Sequence, residues 1–338
     1  MILLVTDTIH DRSSKKVRDW LSHYSANFIS VNNRSIANFT FLSNKIDAFS
    51  IRIDGRDIFL KDVKSVYFRR MPLKILDYGF SNALLWKDIE YANDVWNFLN
   101  QEKDRCLDLL YIELSKKKKI GDYFSKEVNK MNILTIAQSV ELNIPKTLIT
   151  TSKTELIQFK IQNKKIITKC IYESVSFCFN GVHFAAQTKR VSNTMIAKMH
   201  IDFMPTLFQE EITKKFEIRV FYLLGECYSM AIFSQKNKKT RLDFRQYDEL
   251  NPNRFVPFKL PKNIEEKIRN FMKKTNLTYG SLDFIYTPSG EFVFLEVNPE
   301  GIFEMVSIPC NYNLEKLIAE KLIDFDNEEN EKKSTENL

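Results

Sequence analysis

The order of hydrophobic and polar positions near the start of the chain predicts an α/β unit. Ile2–Thr6 is a short apolar run typical of a buried strand, and after a polar loop apolar residues recur at helical spacing around Val17 and Leu21. Asp54 and Gly55 form a typical two-residue hairpin turn between later apolar segments. Those segments predict strands at residues 39–41, 49–53, 58–60 and 63–68.

The pattern from about Asn82 to Leu114 predicts one or two long helices. One side of this segment carries the apolar residues, as expected for amphipathic helices. They are Leu84, Leu85, Ile89, Val95, Trp96 and Leu99.

A second pattern begins near Ser125 with a helix that ends before Pro145. Residues 206–233 are rich in strand-forming residues, and the segment 280–298 reads as a hairpin. The other predicted elements are a strand at 146–150, a helix at 153–161, a strand at 165–169, and helices at 261–275 and 314–322.

The segment 326–338 is polar and has little apolar content, so we expect it to be disordered. The predicted domains are an N-terminal domain at 1–122, a central lobe at 123–205, a C-terminal lobe at 206–325 and the tail at 326–338.

Composition favours a soluble, cytoplasmic protein with an anionic partner. The formal charge is +7, and no apolar run approaches the ~20 residues that a membrane helix needs. The five cysteines include no CxxC pair, which argues for reduced thiols, and the four histidines lack zinc-site spacing. The run Lys116–Lys119 reads as a solvated helix end. No aromatic residues interleave it, so we expect neither a nucleic-acid partner nor a membrane partner.

The hairpin at 280–298 carries oxygen-bearing side chains among apolar neighbours. If its strands pair symmetrically about the turn at 287–290, Asp283 faces Phe294, and Glu296 is its diagonal neighbour. Asn298 shares that face by period two. Buried carboxylates need a cation or a donor, and hard oxygen ligands suit Mg²⁺. A shift of one residue would instead turn the acids to solvent.

Three cations end or interrupt apolar segments upstream, where they can meet phosphate oxygens: Lys130, Lys169 and Arg219. Taken one at a time, each also fits a charge at the end of an element. The segment Gln209-Glu210-Glu211-Ile212 offers peptide groups beside apolar side chains for an adenine edge, and taken alone it fits an ordinary edge strand. The motifs GxxxxGK[ST] and GxGxxG are absent.

Taken in order, these residues resemble the ATP-grasp superfamily over residues 125–322. The resemblance implies an α+β ATP-grasp fold in which an N-terminal α/β domain precedes two lobes that hold ATP and Mg²⁺. It implies phosphate contacts from Lys130, Lys169 and Arg219, adenine contacts from Glu210 to Ile212, and Mg²⁺ ligation by Asp283, Glu296 and Asn298. The matching motifs are Ile144-Pro145-x-Thr147, Gln209-Glu210-x-Ile212, Glu217-x-Arg219 and Glu296-x-Asn298-Pro299.

Flanking motifs narrow the resemblance to the graspetide synthetases, which are related to the microviridin ligases. One departure is Ile302, which stands where that family's NPxGQF motif has Gln. The motifs are Asp11-x-Ser13-Ser14-x-x-Val17, Val66-Tyr67-Phe68-Arg69-Arg70 and Asn298-Pro299-Glu300-Gly301-x-Phe303.

This resemblance implies a ligase that phosphorylates a Glu or Asp side chain of a precursor peptide. A Ser or Thr hydroxyl or a Lys amine of the same peptide then displaces the phosphate, giving an ω-ester or ω-amide. A homodimer is possible. A ligase for free amino acids or a protein tail would share every ATP residue, and a nucleotide-binding scaffold without turnover is the alternative of another class.

The basic stretch 236–245 suits both a phosphate and an acidic peptide, and it equally fits an exposed basic loop. Its cations are Lys238, Lys239, Arg241 and Arg245. Asp243 lies among them and is the candidate base for deprotonating the nucleophile.

Overall fold

The computed structural model describes the chain except for residues 7–10, 33–34, 37, 46–47, 70–72, 76–90, 125–127, 173–175, 181, 186, 238–239, 246–247, 249 and 337–338. The predicted sites Arg70, Lys238 and Lys239 lie outside the described residues, as do Leu84, Leu85 and Ile89 of the predicted long helix. Among the described residues, no helix has the length and apolarity that a bilayer crossing requires.

Contacts divide the chain into two compact units. Unit 1 comprises Met1–Lys126, Ile302–Ser307 and Asn313–Leu338, and unit 2 comprises Glu127–Gly301 and Ile308–Tyr312. The last helix therefore groups with the N-terminal residues, although the sequence placed residues up to 325 in the C-terminal lobe.

Unit 1 is built on a parallel sheet of order β2-β1-β7-β9. The strand and the helix predicted at its start are present, and all of β1 is buried. Its elements are β1 (Ile2–Thr6), α1 (Arg12–His23), β2 (Phe28–Asn32), β3 (Ser35–Ile36), β4 (Asn38–Thr40), β5 (Ser50–Ile53), β6 (Arg56–Phe59), β7 (Ser65–Arg69), β8 (Lys74–Ile75), α2 (Ala92–Ser115) and β9 (Lys118–Ile120).

The predicted hairpin turn is present in unit 1. Ile53 pairs with Arg56, and Asp54 and Gly55 both have positive φ, which is the two-residue turn that matches strand twist. Arg69 ends β7 and donates from Nε to Asp11 Oδ2 at 2.7 Å within the same unit.

The lysine run was predicted as a helix end, and this holds only for its first residue, because Lys116 is the C-cap of α2. Helix α2 ends at Ser115, and Lys118 and Lys119 belong to β9, which pairs with β7 at the edge of the sheet. Lysines protect an exposed sheet edge, and these two also form ion pairs with Glu328 and Asp122.

Unit 2 contains two sheets that matter for function. The small sheet has the order β10-β15-β11-β14, and the large sheet has the order β18-β17-β16-β19-β20. The elements are α3 (Lys130–Ser139), β10 (Thr147–Ser152), α4 (Lys153–Asn163), β11 (Ile166–Lys169), β12 (Ser176–Phe179), β13 (Val182–Ala185), β14 (Lys189–Arg190), α5 (Asn193–Lys198), β15 (Asp202–Glu210), β16 (Phe216–Leu223), β17 (Glu226–Phe233), β18 (Arg254–Phe258), α6 (Lys262–Lys274), β19 (Tyr279–Tyr286) and β20 (Phe292–Asn298).

One face of the large sheet carries the core of unit 2. Phe284 and Phe294 are fully buried there and pack with Phe271 of α6 and Leu134 of α3. Side chains alternate along a strand, so the strand residues next to Phe284 and Phe294 point to the opposite face of the sheet. That opposite face carries the charged groups described below.

The closing elements are α7 (Glu304–Cys310) and α8 (Leu314–Glu336). Helix α8 continues through most of the segment that was predicted to be disordered. That segment is rich in Glu and Lys, which have high helix propensity, so low apolar content alone was a poor guide.

Candidate functional site

Three neighbouring strands of the large sheet place charged side chains at facing positions. Arg219 of β16 pairs in register with Asp283 of β19, and Asp283 pairs with Glu296 of β20. Ser281 and Asn298 face each other two residues further along these two strands. The acids and the arginine that the sequence singled out therefore meet on one sheet face.

The predicted register of this hairpin was wrong. Asp283 faces Glu296 directly, and it does not face Phe294. A β-bulge at Leu295 gives β20 one extra residue, so Phe294 and Glu296 point to opposite faces although period two puts them together. The bulge thus turns Glu296 toward Asp283 while Phe294 stays in the core.

The turn accounts for the rest of the register difference. The sequence indicated four turn residues, 287–290, whereas the loop also includes Glu291, because Tyr286 pairs with Phe292. Gly290 has φ of +88° and donates its N–H to the Thr287 carbonyl at 3.1 Å. A left-handed residue that closes such a loop favours glycine.

The facing charges form a partly buried network. Arg219 Nη1 donates to both carboxylate oxygens of Asp283, at 2.9 and 3.0 Å. Arg245 Nη1 lies 3.7 Å from Glu296 Oε1. Burial raises the pKa of Asp283, the Arg219 charge opposes that rise, and the neighbouring Glu296 charge adds to it. A bound cation would favour the ionised form of both acids.

One donor of Arg219 is unpaired. Its Nε is buried and has no hydrogen-bond partner among the described residues, and such a group costs free energy. Arg219 does not line the cavity described below, so the contact it makes on this sheet face is the pair with Asp283.

Two predicted lysines lie on other elements of unit 2, Lys169 at the end of β11 and Lys130 at the start of α3. Lys169 ends β11 and is half-buried, and burial lowers its pKa while the Glu296 charge opposes that shift. Its ammonium has no hydrogen bond or ion pair with another residue in the described part of the chain. Lys130, by contrast, donates to the carbonyls of Cys170 at 3.1 Å and Tyr172 at 2.6 Å, so it holds the segment that follows β11.

The predicted adenine segment ends β15 and leads into β16. Glu210 N donates to the Lys146 carbonyl and Glu211 N to the Lys165 carbonyl, both at 3.0 Å. The next peptide N–H, that of Ile212, lies beyond the strand and has no partner among the described residues. It is therefore available to the polar edge of a base.

Side chains fix this segment in place. Gln209 is buried and donates from Nε2 to Thr147 Oγ1 at 2.9 Å. Glu210 Oε1 accepts the Lys146 N–H at 2.8 Å. Arg190 of β14 binds Glu211 with two bonds, of 2.7 and 2.6 Å. The bidentate pair lowers the pKa of Glu211, because hydrogen bonds from Arg190 favour the carboxylate.

The predicted basic stretch follows β17. Arg245 donates from Nε and Nη2 to Asp243 at 2.9 and 2.8 Å. Burial raises the pKa of Asp243, but the hydrogen bonds and charge of Arg245 outweigh it, and the net pKa is lowered. Arg241 donates from Nε to the Gln235 carbonyl at 3.2 Å.

Two predicted ligand residues have partners within the protein. Asn298 Oδ1 accepts the N–H groups of Glu300 and Gly301, at 3.0 and 3.2 Å, which fixes the turn after β20. Both carboxylate oxygens of Glu217 accept side-chain hydrogen bonds, from Lys214 and Ser234.

A cavity of about 320 Å³ connects these groups within unit 2. Its lining includes most of the predicted site residues, whereas Lys130, Arg219 and Asn298 stand outside the lining. The predicted residues that line it are Lys169, Gln209, Glu210, Glu211, Ile212, Glu217, Arg241, Asp243, Arg245, Asp283 and Glu296.

Sequence reasoning missed Arg190 and Lys214, which also line the cavity. Arg190 stands on a two-residue strand, and its pairing with β11 depends on tertiary structure, so no local signal marked it. Lys214 lies between the adenine segment and Glu217 and is three residues from that acid, and this spacing was a usable signal.

The donors present fit a magnesium ion. Asp283 and Glu296 offer hard carboxylate oxygens from facing strands, and Mg²⁺ takes one or two protein carboxylates together with phosphate and water. Within the described ranges, no group of three or more His, Cys, Asp or Glu side chains is placed to hold a metal by itself. A cation here would therefore be shared with a phosphate-bearing ligand.

Solved structures of ATP-grasp ligases share the architecture of this chain. The RiPP-associated ATP-grasp ligase of Chryseobacterium gregarium, in complex with ADP and a leader and core peptide, matches with a TM-score of 0.77 at 21% identity over 96% of each chain. The macrocyclase MdnC of Microcystis aeruginosa, bound with precursor peptide MdnA, matches with a TM-score of 0.76 at 23% identity, over 96% of this chain and 99% of MdnC.

D-alanyl-alanine synthetase A of Vibrio cholerae is less similar, with a TM-score of 0.56 at 12% identity over 96% of this chain and 98% of that one. No protein-family model and no curated protein sequence matches the chain significantly. At these sequence identities the structural similarity shows the fold of this chain, and it does not show which reaction the chain catalyses. The α+β fold class predicted from the sequence is confirmed, and the chain has the ATP-grasp fold.

Proposed function

We propose that the protein is an ATP- and Mg²⁺-dependent peptide ligase that cross-links side chains of a ribosomally made precursor peptide. One observation carries the proposal: the facing pair Asp283 and Glu296 lines the same cavity as Lys169 and the adenine segment. In this proposal the small and large sheets belong to the central and C-terminal ATP-grasp lobes, and the N-terminal domain precedes them.

The nucleotide would bind with its base at the Ile212 N–H and its phosphates toward the acids. Lys169 lines the cavity and supplies an ammonium without a protein partner among the described residues. Asp283 and Glu296 would hold Mg²⁺, which would supply neutralisation of phosphate charge.

The reaction has two balanced steps. A Glu or Asp carboxylate of the peptide attacks the γ-phosphorus and ADP leaves, which gives an acyl phosphate. A hydroxyl or amine of the same peptide then attacks the acyl carbon, phosphate leaves and one proton is released. The first step brings two anions together, so cations and fixed donors have to lower its barrier.

In this proposal Asp243, which lines the cavity beside Arg245, accepts the proton released in the second step. Its lowered pKa keeps it ionised at neutral pH. Arg241 and Arg245 also favour an acidic peptide at the rim.

The solved structures favour a peptide substrate over free amino acids. The two ligases with TM-scores of 0.77 and 0.76 were determined with precursor peptides, whereas the dipeptide synthetase has a TM-score of 0.56. We place the protein in the cytoplasm, where ATP and reduced thiols are available, and expect no nucleic-acid or membrane partner.

Mass spectrometry tests the proposal. The protein is incubated with ATP, Mg²⁺ and an acidic precursor peptide, with its core alone, or with free Glu and Thr. Cross-linking lowers the peptide mass by one water per bond, and holding both groups in one molecule favours this reaction over the bimolecular one. A gain of residue mass, or ATP consumption driven only by free amino acids, would overturn peptide cross-linking and favour the amino-acid ligase.

A further inference from the structure

We propose that Arg190 is a positioning residue for the nucleotide, because its paired contact with Glu211 fixes the adenine segment 209–212 and with it the Ile212 N–H. The effect on nucleotide affinity rests on the proposed function, whereas the link between Arg190 and this segment does not.

The contact between Arg190 and Glu211 has the geometry that fixes a carboxylate. Arg190 Nε donates to Oε2 at 2.7 Å, and Nη2 donates to Oε1 at 2.6 Å. A fork of two parallel bonds sets the orientation of the carboxylate as well as its position, and a lysine ammonium offers no such fork. The Glu211 side chain therefore keeps one orientation at the wall of the cavity.

Glu211 lies where the chain leaves its strand. β15 ends at Glu210, and residues 211–214 form neither helix nor strand. The Glu211 N–H donates to the Lys165 carbonyl at 3.0 Å, whereas the Ile212 N–H has no partner in the described ranges. Since no strand ladder holds the Ile212 N–H, its direction depends on how firmly Glu211 is held, by its own N–H on one side and by its carboxylate on the other.

Arg190 is itself held on the small sheet. It pairs with Ile167 of β11, and the next N–H along the chain, that of Val191, donates to the Ile166 carbonyl at 3.0 Å. Because β11 ends at Lys169, one strand carries both the ammonium at the phosphate end of the site and, through Arg190, the support of its base end. The pair thus fixes the distance between the two ends.

The pair is expected to affect ligand affinity far more than the stability of the fold. The Arg190 side chain is 58% exposed and that of Glu211 is 16% exposed. An ion pair with one partner in solvent contributes little to the free energy of unfolding. A hydrogen bond to the base, by contrast, weakens steeply when its donor is misaligned, so a small displacement of the segment lowers affinity.

A double-mutant cycle tests whether Arg190 acts through Glu211. Isothermal titration measures the Kd for an Mg²⁺–ATP analogue in wild type, Arg190→Met, Glu211→Met and the double variant. We expect each single change to raise the Kd about 5- to 20-fold and the double change to raise it no further. If the two factors multiply, Arg190 does not act through Glu211 and the proposal is wrong. Arg52→Met is the matched control and should keep the wild-type Kd, because it breaks a bidentate pair with Asp57, with two bonds of 2.7 Å, in unit 1.

A conservative variant and turnover test the same role independently. Arg190→Lys keeps the charge but lacks the fork, so its Kd should stay close to that of Arg190→Met; a wild-type Kd in Arg190→Lys would contradict the proposal. At saturating ATP, kcat for the peptide should stay within about threefold of wild type, because the change removes binding that ground state and transition state share. A loss of kcat as large as the rise in Kd would place Arg190 in the reaction itself and overturn the positioning role.

Hydrogen exchange without ligand separates the link from the proposed function. Peptides covering residues 209–214 should exchange faster in Arg190→Met and Glu211→Met, and at the wild-type rate in Arg52→Met. Near-ultraviolet circular dichroism checks folding, and unchanged exchange in the folded variants would refute the link. Wild-type protein that binds no nucleotide would refute the proposed function, and the exchange result would still decide whether Arg190 fixes the segment.

Discussion

The two sheets beside the cavity prepare it in different ways. On the large sheet, Asp283 is already paired with Arg219, and Glu296 lies near Arg245 before any ligand binds. On the small-sheet side, the Lys169 ammonium and the Ile212 N–H have no partner among the described residues. One sheet thus holds its charges in fixed positions, and the other offers unused donors.

This difference assigns separate tasks to the two sheets. A group that is fixed before binding loses little freedom when charge develops, so the large sheet is suited to stabilising the reaction. An unpaired donor gains most of its bond energy when the ligand arrives, so the small sheet is suited to affinity for nucleotide. Substitutions on the two sheets are therefore expected to affect kcat and Kd respectively.

The largest effect is expected from Glu296→Gln on the large sheet. It removes one of the two facing carboxylates, and turnover should fall by roughly 10³-fold or more, since metal-based charge stabilisation is worth several kcal/mol. Steady-state kinetics of peptide cross-linking measure the loss. Glu291→Gln, in the exposed turn of the same hairpin, is the control. If folded Glu296→Gln keeps full activity, the facing carboxylates of Asp283 and Glu296 do not take part in the reaction.

A smaller effect, on affinity, is expected from Lys169→Met on the small sheet. Loss of one charged hydrogen bond to phosphate should raise the nucleotide Kd about 10- to 100-fold and leave the peptide KM nearly unchanged. Isothermal titration with a non-hydrolysable ATP analogue measures it, with Lys189→Met on the exposed neighbouring strand as control. If Lys169→Met lowers kcat and leaves the nucleotide Kd unchanged, the two sheets do not divide affinity and catalysis in this way.

Nucleotide affinity should also depend on pH through Lys169. Burial lowers the pKa of its ammonium, and a bound phosphate favours the charged form. As pH rises through the lowered pKa of Lys169, binding has to take up a proton, so affinity should weaken by up to about tenfold per pH unit. Titrations across alkaline pH in wild type and in Lys169→Met measure this slope. If the pH dependence of nucleotide affinity persists in Lys169→Met, a titrating group other than Lys169 causes it.

The smallest effect is expected on stability, from Asp283→Asn. Because burial raises the pKa of Asp283, its contribution to stability is present below the pKa of the unfolded chain and is lost as pH rises through the folded pKa. Asparagine resembles the protonated acid, so the metal-free variant should melt up to roughly 4 °C higher at neutral pH, with no difference in acid. Scanning calorimetry measures Tm. A clearly lower Tm would mean that the Arg219 pair stabilises the fold.

Local pattern was enough to predict the strands beside the cavity and most of the charged residues that line it. Apolar runs with period two located β16, β19 and β20, and the acids stood out because they interrupt those runs. Lys169 was found because it ends an apolar strand, and the order of the motifs carried the resemblance to ATP-grasp ligases. Each of these signals lies within a few residues of chain.

The sequence did not predict how the hairpin pairs. The bulge at Leu295 arises because Phe294 packs with Phe284 in the core while Glu296 faces Asp283, and both conditions can be met only with an extra residue between them. A period-two pattern carries no information about such an interruption.

The sequence by itself determined which residues of this protein carry charge and donors, because residue type and strand period are local properties. Tertiary structure decided which of them are engaged by partners distant along the chain: Glu211 by Arg190 and Glu217 by Ser234. Other contacts are local, because Asn298 binds its own turn and Lys214 lies three residues from Glu217. Partners distant along the chain are set by packing, which no local pattern encodes.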